Sequence, residues 1–144
     1  MACAADREDI APLMDAPGSY RINIAIDGPA GAGKSTVARL VANALRYVYV
    51  DTGAMYRAVT LMALEAGLSP EDEEAIGRLA QRLHIRLMPG TDGQRVLVDG
   101  RDVTDRLRTH EVSRTVARVA GIGSVRKRMA ELQRAMAEGK GVVM

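Results

Sequence analysis

The 144-residue chain is long enough for one domain with a buried core, and its 47% hydrophobic and 26% charged residues are ordinary for a globular protein. A net charge of only +2, four Tyr and no Phe or Trp argue against a stacking surface for single-stranded nucleic acid, so we expect no nucleic-acid partner. Cys3 is the only cysteine, which excludes an internal disulfide, and no apolar run approaches the roughly 18 residues of a membrane span. Residues 1–20 also lack a signal-peptide pattern, so we expect no membrane partner and a cytoplasmic location.

Residues 1–19 mix acidic residues, alanine and proline without a sustained period, and we expect a flexible N-terminal extension there. Isoleucine then recurs at every second position through Ile22, Ile24 and Ile26. This alternation predicts the first strand, over about residues 21–26.

A glycine-rich loop follows the first strand. Its sequence is Gly28-Pro29-Ala30-Gly31-Ala32-Gly33-Lys34-Ser35, which fits the pattern GxxxxGK followed by Ser or Thr. Glycines at this density let successive backbone N–H groups turn inward and surround phosphate oxygens. Lys34 is expected to reach the outer phosphates, and the hydroxyl of Ser35 to ligate Mg²⁺. We therefore predict a nucleoside-triphosphate site in preference to a plain glycine turn between a strand and a helix.

The helix after this loop is predicted over about residues 34–45. Its apolar positions recur at helical spacing and are expected to pack on the sheet: Val37, Leu40, Val41, Ala44 and Leu45. Residues 47–50 then predict a second strand, and the order strand, helix, strand implies a right-handed parallel crossover. We therefore expect the start of a doubly wound α/β domain, with a first part of the core over residues 20–67.

The segment directly after the second predicted strand is Asp51-Thr52-Gly53-Ala54-Met55-Tyr56-Arg57. It opens a helix that is expected to stop at Gly67. Because ligands bind beyond the carboxyl ends of parallel strands, this segment and the glycine-rich loop are expected to face one crevice. Spacing alone favours a plainer interpretation, in which Asp51 or Thr52 caps the helix and Tyr56 and Arg57 lie on the surface.

A small antiparallel unit is predicted over residues 68–109. A helix is expected to begin there with Ser69 as its cap and Pro70 in its first position. Residues 84–98 indicate two alternating strands around a turn, and Asp99-Gly100 indicates a further hairpin.

Residues 110–144 are predicted to return to the core. They hold two helical stretches that are divided by Gly121-Ile122-Gly123-Ser124. The apolar run Val142-Val143-Met144 follows and the chain stops, so we expect the beginning of a further core strand. An open parallel sheet with so few strands leaves helix faces and an edge uncovered, and we expect marginal stability.

Two blocks taken together carry a family resemblance: Ile24-Ala25-Ile26-Asp27 with the glycine-rich loop, and the segment from Asp51 to Arg57. With them the chain resembles bacterial cytidylate kinase, the (d)CMP kinase family. Further similarity over about residues 20–144 comes from Asp102-Val103-Thr104, Arg108-Thr109-His110-Glu111-Val112-Ser113, Val125-Arg126 and Gly141-Val142-Val143-Met144. The resemblance implies an α/β fold of the P-loop nucleoside-monophosphate-kinase type, in which a parallel sheet has helices on both faces and a small inserted antiparallel α+β subdomain. It implies transfer of the γ-phosphoryl group of ATP to CMP or dCMP, giving the diphosphate and ADP.

The donor side of this reaction is assigned to the loop by the same resemblance. The ATP phosphates are expected on nine consecutive residues: Gly28, Pro29, Ala30, Gly31, Ala32, Gly33, Lys34, Ser35 and Thr36. Lys34 is expected to act in catalysis by spreading the charge of the transferring group, and Ser35 to hold Mg²⁺.

The acceptor side falls on the second block and on one later arginine. Thr52, Tyr56 and Arg57 match positions that hold the acceptor phosphate, and Arg57 is also expected to act in catalysis. Asp51 is expected to orient Arg57 or the metal shell, since an acceptor phosphate needs no general base. Arg126 matches the arginine that contacts the cytosine base, and residues 68–109 resemble the monophosphate-binding subdomain of the family.

Two departures from the family pattern bear on these expectations. Ala117 stands where relatives often have a serine that helps to recognise the base, so the pyrimidine preference is open. Relatives also continue beyond the terminal strand into a Gly-Arg-Asp block and a lid with several arginines. A nucleotide-binding fragment without catalysis, lacking the lid and the later core, is therefore the alternative function. A complete protein of this kind is expected to be a monomer.

Two other classes of protein fit less well. A switch GTPase needs an NKxD guanine signature, which is absent, and a DxxG after the glycine-rich loop, whereas the only DxxG, Asp15-Ala16-Pro17-Gly18, precedes it. A kinase for adenylate or shikimate is disfavoured by the segment from Asp51 to Arg57 and by the inserted antiparallel unit.

Overall fold

The computed structural model describes residues 20–29, 31–90 and 93–144. The extension predicted at 1–19, Ala30 of the glycine-rich loop and residues 91–92 of the predicted hairpin turn lie outside the described residues. In chain order the elements are α1 (Lys34–Leu45), β1 (Val48–Tyr49), α2 (Thr52–Glu65), α3 (Glu73–Arg82), β2 (Ile85–Gly90), β3 (Gly93–Val98), β4 (Arg101–Asp102), a 3₁₀ helix (Thr104–Arg106), α4 (His110–Ala120), α5 (Gly123–Ala137) and β5 (Val142–Val143). No helix within the described ranges combines the length and the apolar content that crossing a membrane requires.

β5 is the central strand of the parallel sheet. It pairs with β1 along one edge, with Val48 opposite Val142. Along its other edge Val143 forms a parallel bridge to Ile24, and the N–H of Ile24 donates to the carbonyl of Val142 at 2.8 Å. The predicted first strand is therefore extended backbone around Ile24, and the expected parallel sheet is present.

The helices cover both faces of this sheet. Val143 packs with Ala38 and Ala42 of α1, whereas its neighbour Val142 belongs to a larger core formed with α2 to α5. Adjacent residues of a strand point to opposite faces, so α1 lies on one face and the other helices lie on the opposite one. We refer to residues 20–50 and 141–144 as the parallel-sheet region, and to residues 51–137 as the helical region.

The bounds of α1 are as predicted, but its buried face is not. The residues that bury are Ala38 and Ala42, while Leu40 is 64% exposed and Val37 is 48% exposed. Residues four apart share one side of a helix, and two alanines let the helix backbone come close to the sheet. The predicted stripe was wrong at Val37, Leu40 and Ala44, which are exposed, whereas Val41 does pack against this cluster.

The helical region holds most of the buried apolar residues. Its core joins α2, α3, α4 and α5 to one face of the antiparallel sheet, and Met55, Ile76 and Met129 are among its fully buried side chains. The sheet has the order β2-β3-β4, and Asp99 and Gly100 connect β3 to β4 with φ of 48° and 84°. Two positive φ values are typical of the hairpin turn that Asp-Gly predicts, so that prediction is confirmed.

The start of α3 differs from the prediction. Asp72, not Ser69, is the N-cap, and its carboxylate accepts the N–H of Ala75 at 3.1 Å. Ser69 instead accepts the N–H of Glu71 at 3.3 Å, in a turn that precedes the helix. Serine and aspartate are both good caps, and the acidic residues Glu73 and Glu74 favour the later start because they lie in the first turn beside the positive end of the helix dipole.

Candidate functional site

The glycine-rich loop ends at Gly33, the N-cap of α1. Gly31 and Gly33 have φ of +78° and +90°, and a Cβ at either position would meet no other atom within 4 Å. Glycine is therefore required here by the left-handed backbone and not by crowding. Because Gly33 offers no capping side chain, the N–H groups of the first turn of α1 are free of a side-chain cap and suit an anion.

Lys34 lies in this first turn, and its side chain folds back over the loop. Its Nζ donates a hydrogen bond to the carbonyl of Gly28. Its Cγ and Cδ lie 3.6 Å from the position that a Cβ on Gly28 would take. An ammonium group has three donors, so one anchors the side chain to the loop and the others can serve a ligand. Lys34 thereby places a positive charge over the loop.

A cavity of about 560 Å³ opens beside the first turn of α1. Its lining combines residues of both regions: Ser35, Arg39, Asp51, Gly53, Ala54, Arg57, Gln94, Val96, Thr104, Leu107 and Arg108. Three of these residues are arginines and one is a carboxylate, so the charge of the cavity favours an anionic ligand. A neighbouring cavity of about 260 Å³ shares Ser35, Asp51 and Gly53 with it and adds Lys34 and Thr52. The loop and the segment from Asp51 to Arg57 thus line one crevice.

Arg57 is held in place at the wall of the larger cavity. Its Nη1 donates to the carbonyl of Leu107 at 3.0 Å and to the hydroxyl of Ser113 at 3.0 Å. Both partners lie beyond the antiparallel sheet in the chain, so three separate parts of the sequence meet at this guanidinium. A guanidinium has five N–H donors, so Arg57 can keep these two contacts while it binds an anion.

Asp51 is the N-cap of α2. Its Oδ1 accepts the N–H of Ala54 at 3.0 Å. Among the described residues no ion pair joins Asp51 to Arg57, whose contacts are those to Leu107 and Ser113. The structure therefore agrees with the plainer interpretation of Asp51, as a helix cap, while the same carboxylate lines both cavities.

Two residues with expected roles, Tyr56 and Arg126, lie outside both cavities, as does Ala117, the position that departs from the family pattern. Tyr56 is partly buried against the helical core, and its carbonyl accepts the hydroxyl of Thr60 at 2.8 Å. Arg126 is exposed in the first turn of α5, and Ala117 is exposed on α4. Neither Tyr56 nor Arg126 lines either of the two cavities described above.

Four polar residues of the larger cavity were given no role from the sequence: Arg39, Gln94, Thr104 and Arg108. Arg108 lies inside a stretch that carries the family resemblance, which was the available signal for it. Arg39 follows the loop on α1, and its guanidinium lies over the ring of Tyr49, 5.5 Å from the ring centre. Thr104 also lies inside a stretch that carries the resemblance, Asp102-Val103-Thr104. Gln94 comes from β3, and it reaches the cavity only through the position of that sheet beside β1.

The carboxylate of Asp102 holds Thr104, which lines the larger cavity. The hydroxyl of Thr104 accepts the N–H of Val96 at 2.8 Å and donates to Oδ1 of Asp102 at 2.7 Å. This hydroxyl bond, the backbone N–H of Thr104 and the guanidinium of Arg95 together lower the pKa of Asp102 to about 2. Each of these bonds favours the ionised carboxylate, so the loop before the 3₁₀ helix is fixed by a charged group.

A second carboxylate ties α2 to the antiparallel unit. Glu65, in the last turn of α2, accepts hydrogen bonds from Arg101, at 2.5 Å, and from Arg106. The bond from Arg101 has the largest effect in lowering the pKa of Glu65, and burial opposes it. This pair of contacts keeps the unit fixed at the end of α2 that lies away from Asp51.

The described residues contain few candidate metal ligands at the site. Within residues 20–29, 31–90 and 93–144, no three His, Cys, Asp or Glu side chains lie close enough together to hold a metal ion. Sites that bind Mg²⁺ with phosphates need only one or two protein ligands. Ser35 is exposed and lines both cavities, so its hydroxyl fits such a site.

Comparison with known proteins gives one consistent family. The family model described as cytidylate kinase matches residues 24–144. The cytidylate kinase of Exiguobacterium sibiricum is 55% identical over 124 residues, which cover 86% of this chain and 56% of that protein. The cytidylate kinase of Carboxydothermus hydrogenoformans is 56% identical over 113 residues, 78% of this chain and 51% of that protein. That of Geobacillus thermodenitrificans is 56% identical over 124 residues, 86% of this chain and 55% of that protein. The chain spans about half the length of the curated relatives it matches.

Proposed function

The chain belongs to the cytidylate kinase family, and on that premise we propose that it forms the nucleotide site of a kinase that transfers the γ-phosphoryl group of ATP to CMP or dCMP. One observation carries the proposal: the N-terminus of α1 and the anchored guanidinium of Arg57 line adjoining cavities that share Ser35 and Asp51. A phosphoryl transfer needs two anion-binding groups that face one site, with little covalent chemistry from the protein. Monomeric action in the cytoplasm is part of the same proposal.

The donor phosphates are assigned to the loop and to α1. The backbone N–H groups of the first turn and Nζ of Lys34 would bind the phosphate oxygens. The open space around Gly31 and Gly33 leaves room for this contact. Ser35 would hold Mg²⁺, which supplies neutralising charge between the phosphate oxygens when it is bound.

The acceptor phosphate is assigned to the larger cavity. Arg57 is anchored before any ligand arrives, so its donors are already oriented when the transferring group gains charge. In this proposal Thr52 contributes from the adjoining smaller cavity. The family resemblance assigns Tyr56 to the phosphate and Arg126 to the cytosine, and both lie outside the two cavities. No general base is assigned, because the acceptor phosphate is an anion near neutral pH, and Asp51 serves by fixing the start of α2.

Substitution of Arg57 tests the acceptor assignment. We expect Arg57→Met to weaken CMP binding by about 10- to 100-fold, since it removes a charge-assisted contact to phosphate, and to change ATP binding by less than about twofold. The measurement is calorimetric titration of ATP and CMP, with a coupled assay for CDP formation. Arg78→Met is the matched control, because Arg78 is exposed on α3 in an ion pair with Glu74.

The titrations also separate the two candidate functions. Binding of both nucleotides with CDP formation supports transfer, and binding of both without CDP formation supports the nucleotide-binding alternative. An unchanged CMP affinity in Arg57→Met would remove this arginine from the acceptor site.

A further inference from the structure

The outer edge of β1 is occupied by a side chain. The N–H groups of Val48 and Val50 donate to carbonyls beside and within β5, at 2.9 and 2.8 Å, so they face the inside of the sheet. The carbonyl of Tyr49 and the N–H of Asp51 then face the opposite edge, because backbone groups alternate along a strand. Gln94 of β3 meets both of them: its Nε2 donates to the carbonyl of Tyr49, and its Oε1 accepts the N–H of Asp51 at 3.2 Å.

This contact copies the bonds of a neighbouring parallel strand. A parallel partner offers one N–H and one C=O to two residues that lie two positions apart. The side-chain amide of Gln94 supplies that same pair of groups from a single residue. Gln94 is partly buried and lines the 560 Å³ cavity, so the contact lies at the site and not on a remote surface.

The contact leads directly to the acceptor segment. Asp51, whose N–H is bound by Gln94, caps α2 through its own side chain, and Arg57 lies within the first two turns of that helix. The antiparallel unit therefore holds this segment at two places, through Gln94 at its start and through the carbonyl of Leu107 at Arg57. If the contact between Gln94 and Asp51 were lost, the start of α2 could move, and the Arg57 guanidinium and the Thr52 hydroxyl would then lie differently in relation to the cavity.

We propose that Gln94 is a positioning residue for the acceptor side: its amide fixes the end of β1 and the start of α2, and so sets the acceptor-phosphate contacts. The role of Gln94 in ligand binding rests on the proposed function, whereas its contact with Asp51 does not. We expect Gln94 to have little effect on ATP binding, because the backbone of the glycine-rich loop does not run along this edge of β1.

The test uses Gln94→Met and Gln94→Glu in the full chain. Methionine keeps the length of the side chain and removes both hydrogen bonds, while glutamate keeps the acceptor for Asp51 and removes the donor for Tyr49. In Gln94→Met we expect hydrogen exchange of the Asp51 amide, followed by NMR without ligand, to be faster by about 10-fold. We expect the Kd for CMP to rise by about 10-fold and the Kd for ATP to change less than about twofold.

Gln94→Glu should retain slow exchange at Asp51, and only this exchange is compared, because a carboxylate in this cavity repels an anionic ligand directly. Gln81→Met on the exposed side of α3 is the matched control and should leave all three measurements unchanged. If the Asp51 amide hydrogen exchanges at the wild-type rate in Gln94→Met, the hydrogen bond between Gln94 and Asp51 is refuted. This result holds even if Gln94→Glu folds poorly. Faster exchange with equal changes in CMP and ATP affinity would overturn the positioning role. A wild-type chain that binds no CMP would overturn the proposed function, and the exchange experiment would still decide the contact.

Discussion

The parallel-sheet region and the helical region differ in how much of their apolar surface is buried. Around α1 the buried cluster consists of Ala38, Ala42 and Val143, whereas the larger core takes eighteen buried residues from the described part of the helical region and adds Val50 and Val142 from the sheet. Among the residues that the structure describes, five of the six exposed large hydrophobic side chains belong to the parallel-sheet region: Tyr20, Ile22, Val37, Leu40 and Val48. The glycine-rich loop therefore sits on the thinly packed region, and the proposed acceptor residues from Asp51 to Arg57 sit on the densely packed one.

The two regions also build their binding groups in different ways. The loop presents backbone N–H groups whose direction is set by the φ values of Gly31 and Gly33. The acceptor side presents side chains that distant residues hold, such as Arg57 at Leu107 and Ser113. A site made of backbone needs little core beneath it, whereas a site made of long side chains needs neighbours that restrict them.

The largest effect is expected at Lys34, which carries the positive charge of the proposed donor site. Lys34→Ala should abolish CDP formation, a fall of about 10³-fold or more, because it removes a fixed positive charge from the transferring group. Thermal unfolding should change little, since Lys34 is not a core residue. The coupled assay measures this, with Lys127→Ala on the exposed face of α5 as the control. Turnover at a wild-type rate in Lys34→Ala would refute the donor assignment.

A pair of core substitutions tests the difference in packing. Met55→Ala should lower the free energy of unfolding by about 2–5 kcal/mol, because Met55 is fully buried in the helical core. Leu40→Ala should change it by less than about 0.5 kcal/mol, because the Leu40 side chain is largely in solvent. Urea unfolding measures both. If both substitutions lowered the free energy of unfolding equally, the Leu40 face of α1 would have to be buried in solution by contacts other than the described ones.

The smallest effect is expected on the stability of the fold at acid pH, and it comes from Asp102 in the helical region. The folded pKa of Asp102 is about 2, below its ordinary value of 3.8, so this carboxylate stabilises the fold above about pH 4. The contribution is lost as the pH falls through the folded pKa. NMR titration should place the Asp102 carboxyl near pH 2, and Asp102→Asn should flatten the stability profile between pH 4 and 2. A titration midpoint near 3.8 would show that Thr104 and Arg95 do not stabilise the ionised carboxylate of Asp102 in solution.

The features that the sequence predicted well are encoded in neighbouring residues. The glycine-rich loop, the bounds of α1 and the turn at Asp99-Gly100 follow from local backbone preferences, which a short stretch of sequence reveals. Burial of α1 through Ala38 and Ala42 depends on how closely the helix approaches the sheet. The contact between Gln94 and Asp51 depends on the alignment of β3 beside β1, and no pattern within either segment records that alignment.

The central position of β5 has a consequence for the order in which the molecule assembles. The N–H of Val142 donates to the side chain of Asn23, across a separation of 119 residues. Pairing over such a distance closes a long loop and is slow compared with contacts between successive helices. On the ribosome, α2 to α5 are complete before Val142 is made, so their core can form first. The strand before the glycine-rich loop pairs with β5 within the described residues, so the loop should acquire its geometry after that core, and nucleotide binding would report this later step of folding.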